Sequence, residues 1–158
     1  MYVEQLMARQ VQSCRPDDTL DRVAELMWNR DCGCLPVCSG DGSAKAVAVI
    51  TDRDIAMCAL FQAKPLRELR VSDAMSKELR VCHPNDDLAD AEMTMREAQI
   101  RRLPVVDPQG DLIGMICLAD LAEEAARERH TETRQITEAE VGDTLAAICE
   151  PARRSLAA

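Results

Sequence analysis

Long apolar runs and basic charge are both scarce in this sequence. Across 158 residues no apolar stretch approaches the roughly 20 residues that a bilayer-spanning helix needs. The segment Met1–Gln5 has neither the basic nor the apolar region of a signal peptide. We therefore expect a cytoplasmic protein that has no membrane partner.

Basic residues are outnumbered by acidic ones, 19 against 28, which gives a formal net charge of −9. Nucleic acids and anionic membranes are bound through dense Lys/Arg faces, so this balance argues against both as partners. An acidic protein can still bind a nucleotide, because a few local basic groups or backbone N–H donors suffice for one phosphate group.

Cysteine is abundant, with eight residues, but CxxC pairs and the Cys/His spacings of zinc sites are missing. We expect no metal site, and we expect most of the thiols to be small, buried and reduced. The two histidines are His83 and His130, and neither is near a candidate nucleophile. The sequence therefore gives no indication of catalysis.

The sequence contains an internal repeat. A shift of 68 positions superposes its two halves, and after a two-residue insertion around Ser43–Lys45 the shift becomes 66. So many matches at a near-constant offset indicate duplication of one structural unit. The matched pairs include Val3/Val71, Met7/Met75, Cys14/Cys82, Pro16/Pro84, Asp18/Asp86, Leu20/Leu88, Met27/Met95, Leu35/Leu103, Gly42/Gly110, Ile50/Ile116, Asp54/Asp120 and Ala56/Ala122.

Each copy has the pattern of a βαββα unit. A short apolar strand, Val11–Cys14, is followed by a turn and then by an amphipathic helix from Leu20. We expect the aspartates of the turn to cap that helix. Two apolar runs, Leu35–Cys38 and Ala46–Ile50, predict a β-hairpin, and a second helix opens near Asp52. Because neither copy alone can cover its apolar faces, the copies should pack sheet against sheet. The counterparts in the second copy are Leu79–Cys82, the helix from Leu88, Leu103–Val106, Leu112–Cys117 and the helix near Ala119.

We divide the chain into a first domain (residues 3–60), a linker (61–70), a second domain (71–126) and a C-terminal segment (127–158). That last segment is highly charged at first. It then offers a capping box at Thr137–Glu140, with Val141, Leu145 and Ile148 at helical spacing. We expect a final amphipathic helix that packs back on the body or across a dimer; the alternative is a docking helix for an unidentified protein target.

The motifs at Leu35–Val37 and Ala48–Ile55, and again at Gln99–Asp107 and Gly114–Leu121, resemble those of a pair of CBS domains. More narrowly, the chain resembles the small stand-alone CBS-pair proteins of bacteria and archaea, including those of the hypoxia-response type. The resemblance implies an α/β (α+β) fold in which two βαββα domains form a pseudo-twofold, sheet-on-sheet pair, the Bateman module. It also implies a non-catalytic regulatory function, with no required cofactor. Clefts between the repeats would bind adenosine-type nucleotides such as AMP, ADP, ATP, S-adenosylmethionine or NAD(H).

In the first copy the resemblance assigns ligand roles to four residues. Cys32 would line the slot for the base, Thr51 would donate a hydroxyl, Arg53 would reach a phosphate and Asp54 would bind the ribose. The structural alternative is that Thr51 is only the N-cap of the second helix and that Asp54 is only a favourable first-turn carboxylate.

In the second copy the corresponding residues are Ile100 for the base, Arg101 and Arg102 for phosphate, and Asp120 for the ribose. Cys117 departs from the family pattern, because a thiol is a weaker hydrogen-bond donor than the usual hydroxyl. We therefore expect two sites of one shape but unequal affinity. The alternative for the two arginines is a solvated strand edge.

Two further expectations concern assembly and redox chemistry. We expect a homodimer, since twofold assemblies are the commonest kind, and Trp28 is expected in the core or at a dimer contact. The alternative function is a redox-responsive interaction module that uses Cys14 with Cys38, or the pair Cys32 and Cys34.

Overall fold

The structure is a computed structural model and describes residues 1–131 and 133–151. The remaining residues of the predicted C-terminal segment, 132 and 152–158, lie outside the described part. Two short 3₁₀ helices occupy Val3–Gln5 and Leu66–Glu68. The helices are α1 (Leu20–Asn29), α2 (Asp52–Gln62), α3 (Val71–Ala74), α4 (Leu88–Ala98), α5 (Leu118–Glu128) and α6 (Glu138–Cys149), and the strands are β1 (Cys34–Cys38), β2 (Ala46–Thr51), β3 (Arg102–Val106) and β4 (Leu112–Cys117).

Each copy contributes one helix, one hairpin and a second helix, so the predicted α/β class is confirmed. Strands β1 and β2 pair antiparallel with Cys34 opposite Thr51, and β3 pairs with β4 in a second two-stranded sheet. Helix α1 forms because apolar residues recur on one side of it, and Leu20, Val23 and Met27 are buried there. Their counterparts on α4, Leu88, Ala91 and Met95, are buried in the same way.

The two hairpin turns explain one matched pair of the repeat. Gly42 has a φ of +91° and Gly110 has a φ of +87°. A side chain with a Cβ is strained in this left-handed region, which glycine enters without cost. The duplication has therefore kept glycine where the backbone requires it.

The turns before α1 and α4 differ from the sequence-based prediction. Asp18 accepts a hydrogen bond from the Arg15 N–H at 2.8 Å, and Asp86 accepts one from the His83 N–H at 2.7 Å. These carboxylates therefore close the turn rather than cap the helix, as short Asp side chains commonly do. The apolar strand expected just before each turn is reduced to an isolated bridge, at Cys14 in the first copy.

The chain divides into two compact units. The first-copy unit contains residues 9–81 and 106–114, and the second-copy unit contains residues 1–8, 82–105 and the chain from Met115 on. Each unit thus holds the helices of one copy together with a short segment from elsewhere in the sequence.

In the first-copy unit the added segment is Leu69–Ser76, which spans the end of the linker and the start of the second copy. The Leu20 N–H donates to the Leu69 carbonyl at 3.0 Å, and the Ser76 N–H donates to the Val49 carbonyl at 2.8 Å. Leu69 is fully buried among the α1 and β1–β2 side chains. The core of the first copy is therefore completed by the start of the second.

In the second-copy unit the added segment is Met1–Ala8, with the same hydrogen bonds. The Leu88 N–H donates to the Met1 carbonyl at 3.0 Å, and the Ala8 N–H donates to the Met115 carbonyl at 2.9 Å. The starts of the two copies are thus exchanged between the units.

Helix α6 packs against α4 and α5 within the second-copy unit. Thr137 is its N-cap and accepts a hydrogen bond from the Glu140 N–H at 3.2 Å. The buried Thr144 hydroxyl donates to Glu92 at 2.6 Å, and the Gln99 side-chain amide donates to the Ala147 carbonyl at 3.0 Å. None of the helices in residues 1–131 and 133–151 combines the length and apolar character needed to cross a bilayer.

Candidate functional site

The first elbow is the point where β2 passes directly into α2, at Thr51. The Thr51 hydroxyl donates to Asp54 Oδ2 at 2.7 Å and accepts from the Asp54 N–H at 3.2 Å. The Thr51 N–H reaches the same Oδ2 at 2.9 Å. Both residues are half-buried. Thr51 is therefore the N-cap of α2, as in the structural alternative, and Asp54 completes a capping box with it.

The capping box leaves one carboxylate oxygen of Asp54 unused. Both side-chain bonds go to Oδ2, and among the described residues Oδ1 receives none. A carboxylate oxygen at this position can accept from a hydroxyl group of a ligand, while the positive end of α2 attracts an anion. Capping and ligand binding therefore use different atoms. Arg53, also in the first turn of α2, is exposed.

Cys32 and Gly33 lie beside the start of α2. The Asp52 N–H donates to the Gly33 carbonyl at 3.2 Å, and a Cβ at Gly33 would lie 2.9 Å from Asp52 Oδ2. Glycine therefore permits this close approach. Cys32 is half-buried, and its N–H donates to the Met27 carbonyl at 3.0 Å.

A cavity of about 350 Å³ opens beside these residues. Of the predicted ligand residues of this copy, only Cys32 lines it. Sequence reasoning missed Asp31 and Asp52, which also line the cavity. Neither residue belongs to a recognisable motif, and the only signal in the sequence is that each is adjacent to a predicted ligand residue. The cavity is lined by Ala24, Met27, Trp28, Asp31, Cys32, Gly33, Asp52 and Ile55.

The second elbow has the same backbone arrangement at the start of α5. The Cys117 N–H donates to Asp120 Oδ2 at 2.7 Å. The Leu118 N–H donates to the Arg101 carbonyl at 2.9 Å, and the Ile100 N–H donates to the Met95 carbonyl at 3.0 Å. These bonds are the repeat equivalents of those at Asp52 and Cys32. The two elbows thus share their backbone and differ in side chains.

Electrostatics at the second elbow centre on Arg102, Cys117 and Asp120. Burial raises the pKa of the Cys117 thiol to about 11, with the Asp120 charge adding to the rise and Arg102 opposing it. Burial also raises the pKa of Asp120, against the hydrogen bond from the Cys117 N–H and the charge of Arg102. The structure therefore brings these three side chains together. Arg101 is exposed and offers its backbone carbonyl to α5.

The predicted ligand residues fall into two separate groups. Cys32, Thr51, Arg53 and Asp54 all belong to the first-copy unit. The second-copy unit holds Ile100, Arg101, Arg102 and Asp120. In the part of the chain that the structure describes, no three His, Cys, Asp or Glu side chains are grouped so that they could hold a metal ion.

Comparison with known proteins gives matches over most of the chain. The family model described as the CBS domain matches residues 3–60 and 71–127. The CBS domain-containing protein YhcV of Bacillus subtilis (strain 168) is 40% identical over 120 residues, which cover 76% of this chain and 82% of that protein. The chain also matches parts of larger enzymes, spanning only 22% to 25% of four such relatives.

Solved structures show the same architecture. A putative signal-transduction protein with CBS domains from Burkholderia ambifaria MC40-6 is 26% identical, with a TM-score of 0.72 over 84% of this chain and 100% of that one. The protein CBSX2, solved in complex with AMP, is 25% identical, with a TM-score of 0.71 over 82% of this chain and 98% of that one.

Proposed function

Because this chain belongs to the CBS-domain family and carries a tandem pair of CBS domains, we propose that it is a non-catalytic sensor that binds an adenosine-type nucleotide at its two elbows. The observation that carries the proposal is the unused Oδ1 of Asp54, held in place by bonds to Oδ2 alone. The complex of CBSX2 with AMP supports the choice of ligand class.

At the first elbow each part of a nucleotide has a matching group. The ribose hydroxyls donate to Asp54, and the base lies against the half-buried Cys32. The phosphate accepts from the first-turn N–H groups of α2 and from the exposed Arg53, while Thr51 fixes the carboxylate.

At the second elbow Asp120 takes the ribose role, and Ile100 lines the base slot. Arg102 already lies beside Asp120, and the exposed Arg101 is the additional phosphate donor. Two features weaken this elbow. The Cys117 thiol is a poorer donor than the Thr51 hydroxyl, and burial opposes ionisation of Asp120. We therefore expect the second elbow to bind its ligand less tightly.

A binding function without catalysis fits these groups. The elbows offer carboxylates, cations and helix N–H donors, which recognise a nucleotide, and the Thr51 hydroxyl that contacts Asp54 is engaged in capping α2. The expected output is a change in the protein's interaction with a target protein, whose identity is open.

Isothermal titration calorimetry tests the proposal with AMP, ADP, ATP, S-adenosylmethionine and NADH. We expect heat with at least one of these ligands, and a loss of binding sites in Asp54→Ala and in Asp120→Ala. The matched control is Asp73→Ala, because Asp73 accepts the same kind of capping bond, from the Arg70 N–H at 2.8 Å, at the start of α3 instead of at an elbow. The absence of both heat and a shift in melting temperature with all five ligands would refute nucleotide sensing.

The redox alternative has one supporting observation and one opposing it. The Cys38 N–H donates to the Cys14 carbonyl at 2.8 Å, so these residues are neighbours. Burial, however, raises the pKa of Cys14 to about 12, which suppresses the reactive thiolate.

All eight cysteines are free thiols, which supports a reducing compartment such as the cytoplasm. We therefore favour nucleotide sensing.

A further inference from the structure

Gln99 lies between α4 and the base slot of the second elbow, and its backbone is in an unusual conformation. It is the C-cap residue of α4 and has a φ of +52°. Among residues that carry a side chain, Asn and Asp enter this left-handed region most readily. The equivalent residue of the first copy is indeed an aspartate, Asp31, with a φ of +50°. The turn itself therefore does not explain the longer amide side chain at Gln99.

The side chain of Gln99 is used by α6. Its amide nitrogen donates to the Ala147 carbonyl at 3.0 Å and to the Glu150 carbonyl at 3.2 Å. The last carbonyl groups of a helix have no partner within that helix, so a donor from elsewhere satisfies them. The carboxylate of an aspartate such as Asp31 has no N–H to donate. The residue that the turn disfavours is therefore the one that holds the C-terminal end of α6.

Helix α6 is attached to the second repeat largely through polar groups. Val141 and Thr144 are the two buried residues of this helix. Thr144 uses its hydroxyl to donate to Glu92 on α4 at 2.6 Å. A helix with few buried apolar side chains opens locally at a low free energy. The two hydrogen bonds from Gln99 are therefore an important part of what keeps the C-terminal end of α6 docked.

The backbone that follows Gln99 leads directly into the second elbow. The segment Ile100–Arg102 contains the predicted residues for the base and the phosphate, and all of it belongs to the second-copy unit. The Arg101 carbonyl accepts from the Leu118 N–H, at the start of α5, and the last residue of the segment lies beside Asp120. A change in the backbone of Gln99 is therefore passed on to the base slot and to the first turn of α5.

We propose that Gln99 is a positioning residue of the second elbow, and that it couples the docking of α6 to the binding of a nucleotide there. Docked α6 holds Gln99, and with it the segment Ile100–Arg102, in one conformation. A ligand that binds this conformation and a docked α6 therefore stabilise each other. The inference rests on the proposed nucleotide sensor and adds its output, which is the state of α6.

Hydrogen-exchange mass spectrometry tests the coupling with AMP, ADP, ATP, S-adenosylmethionine and NADH. The Asp54→Ala protein leaves the second elbow as the binding site. In this protein, each ligand that gives heat in calorimetry should slow exchange of the α6 amides by about fivefold or more, relative to the amides of β3. The Asp120→Ala protein leaves the first elbow, and the same ligands should not change exchange in α6.

Substitutions at Gln99 separate coupling from simple support of the helix. Gln99→Met keeps the length of the side chain but removes its N–H donors. It should speed exchange in α6, abolish the protection by ligand and weaken binding at the second elbow by about fivefold. Gln99→Lys restores a donor and should restore the protection.

The matched control is Thr144→Val, which loosens α6 at a different bond. Exchange in α6 should become faster in this variant, while ligand still slows it. A residue with a merely structural role would give the same result in Gln99→Met as in Thr144→Val.

Three results would overturn the inference. The first is that ligand still protects α6 in Gln99→Met. The second is that Asp54→Ala binds a ligand with no change in exchange of α6, which leaves the nucleotide sensor intact. The third is the absence of heat with all five ligands in the unaltered protein, which removes the sensor and the coupling together. Calorimetry thus distinguishes failure of this inference from failure of the proposed function.

Discussion

The Thr51 hydroxyl and the Asp54 carboxylate hold each other in place, with 2.7 Å between Thr51 Oγ1 and Asp54 Oδ2. The repeat places Cys117 and Asp120 in the same relation, and there the backbone bond of 2.7 Å to Asp120 is retained. The pair Thr51/Cys117 is therefore one side-chain difference between the elbows that a reciprocal exchange can test.

Exchanging that side chain should change the two affinities in opposite directions. Cys117→Thr restores the hydroxyl and should tighten binding at the second elbow, whereas Thr51→Cys should weaken binding at the first. A hydrogen bond of about 1 kcal/mol corresponds to roughly fivefold in affinity. Calorimetry with whichever of the five nucleotides binds the unaltered protein measures both affinities. If both substitutions changed the affinity by the same amount and in the same direction, the hydroxyl would not be the cause of the unequal affinities of the two elbows.

Thiol reactivity should follow burial and pH. Burial raises the pKa values of Cys14 and Cys82 to about 12, and that of Cys117 to about 11, whereas Cys149 is exposed. At pH 8 we expect alkylating reagents to modify Cys149 first, and the three thiols of raised pKa only in denaturant or near pH 11. Peptide mass spectrometry locates the label. Rapid labelling of Cys14 at pH 8 in the folded protein would instead support the redox alternative.

Asp120 should make the stability of the protein decrease as pH rises through the acidic range. Burial raises its folded pKa above the ordinary value of 3.8, so the native state binds the proton more tightly than the unfolded state. The stabilisation is complete below 3.8 and is lost as pH rises through the folded pKa. Urea unfolding of the unaltered protein and of Asp120→Asn between pH 3 and 7 should show the variant gaining relative stability toward neutral pH.

Asp41 provides the control of opposite sign. A hydrogen bond from Ser39 lowers its pKa to about 2, so its contribution is present above 3.8 and is lost as pH falls through about 2. Asp41→Asn should therefore lose relative stability above pH 3.8. Parallel curves for Asp120→Asn and Asp41→Asn would contradict the assigned directions.

The duplication made the helices and hairpins predictable, because two copies of one pattern reinforce each other. Matched glycines such as Gly42 and Gly110 marked the hairpin turns, because a positive φ is a local requirement that glycine meets. The role of Asp18 could not be predicted from the sequence. A short carboxylate at this position can either cap the following helix or close the turn, and the same sequence is compatible with both roles. The sequence predicted Thr51 as the N-cap of α2, and the structure adds the hydrogen bonds to Asp54 Oδ2, while the ligand role of Asp54 stays a prediction.

The exchanged segments could not be predicted from the repeat. Val3 and Val71 occupy equivalent positions, so each segment offers nearly the same contacts to its own copy and to the other. Sequence similarity therefore does not indicate which of the two copies each segment packs against. Trp28, which is 86% exposed, was also missed as a surface feature, because helical spacing alone put it near the apolar stripe, where a core position was one of the two expectations.

The exchange of Met1–Ala8 has a consequence for synthesis of the chain. These residues are synthesised more than a hundred residues before their hydrogen-bonding partner Met115. The first repeat, by contrast, can complete its core once Ser76 has emerged. The Met1–Ala8 segment therefore waits for much of the second repeat before its contacts are complete, and a chain that stops before Met115 lacks the hydrogen bonds between Ala8 and Met115.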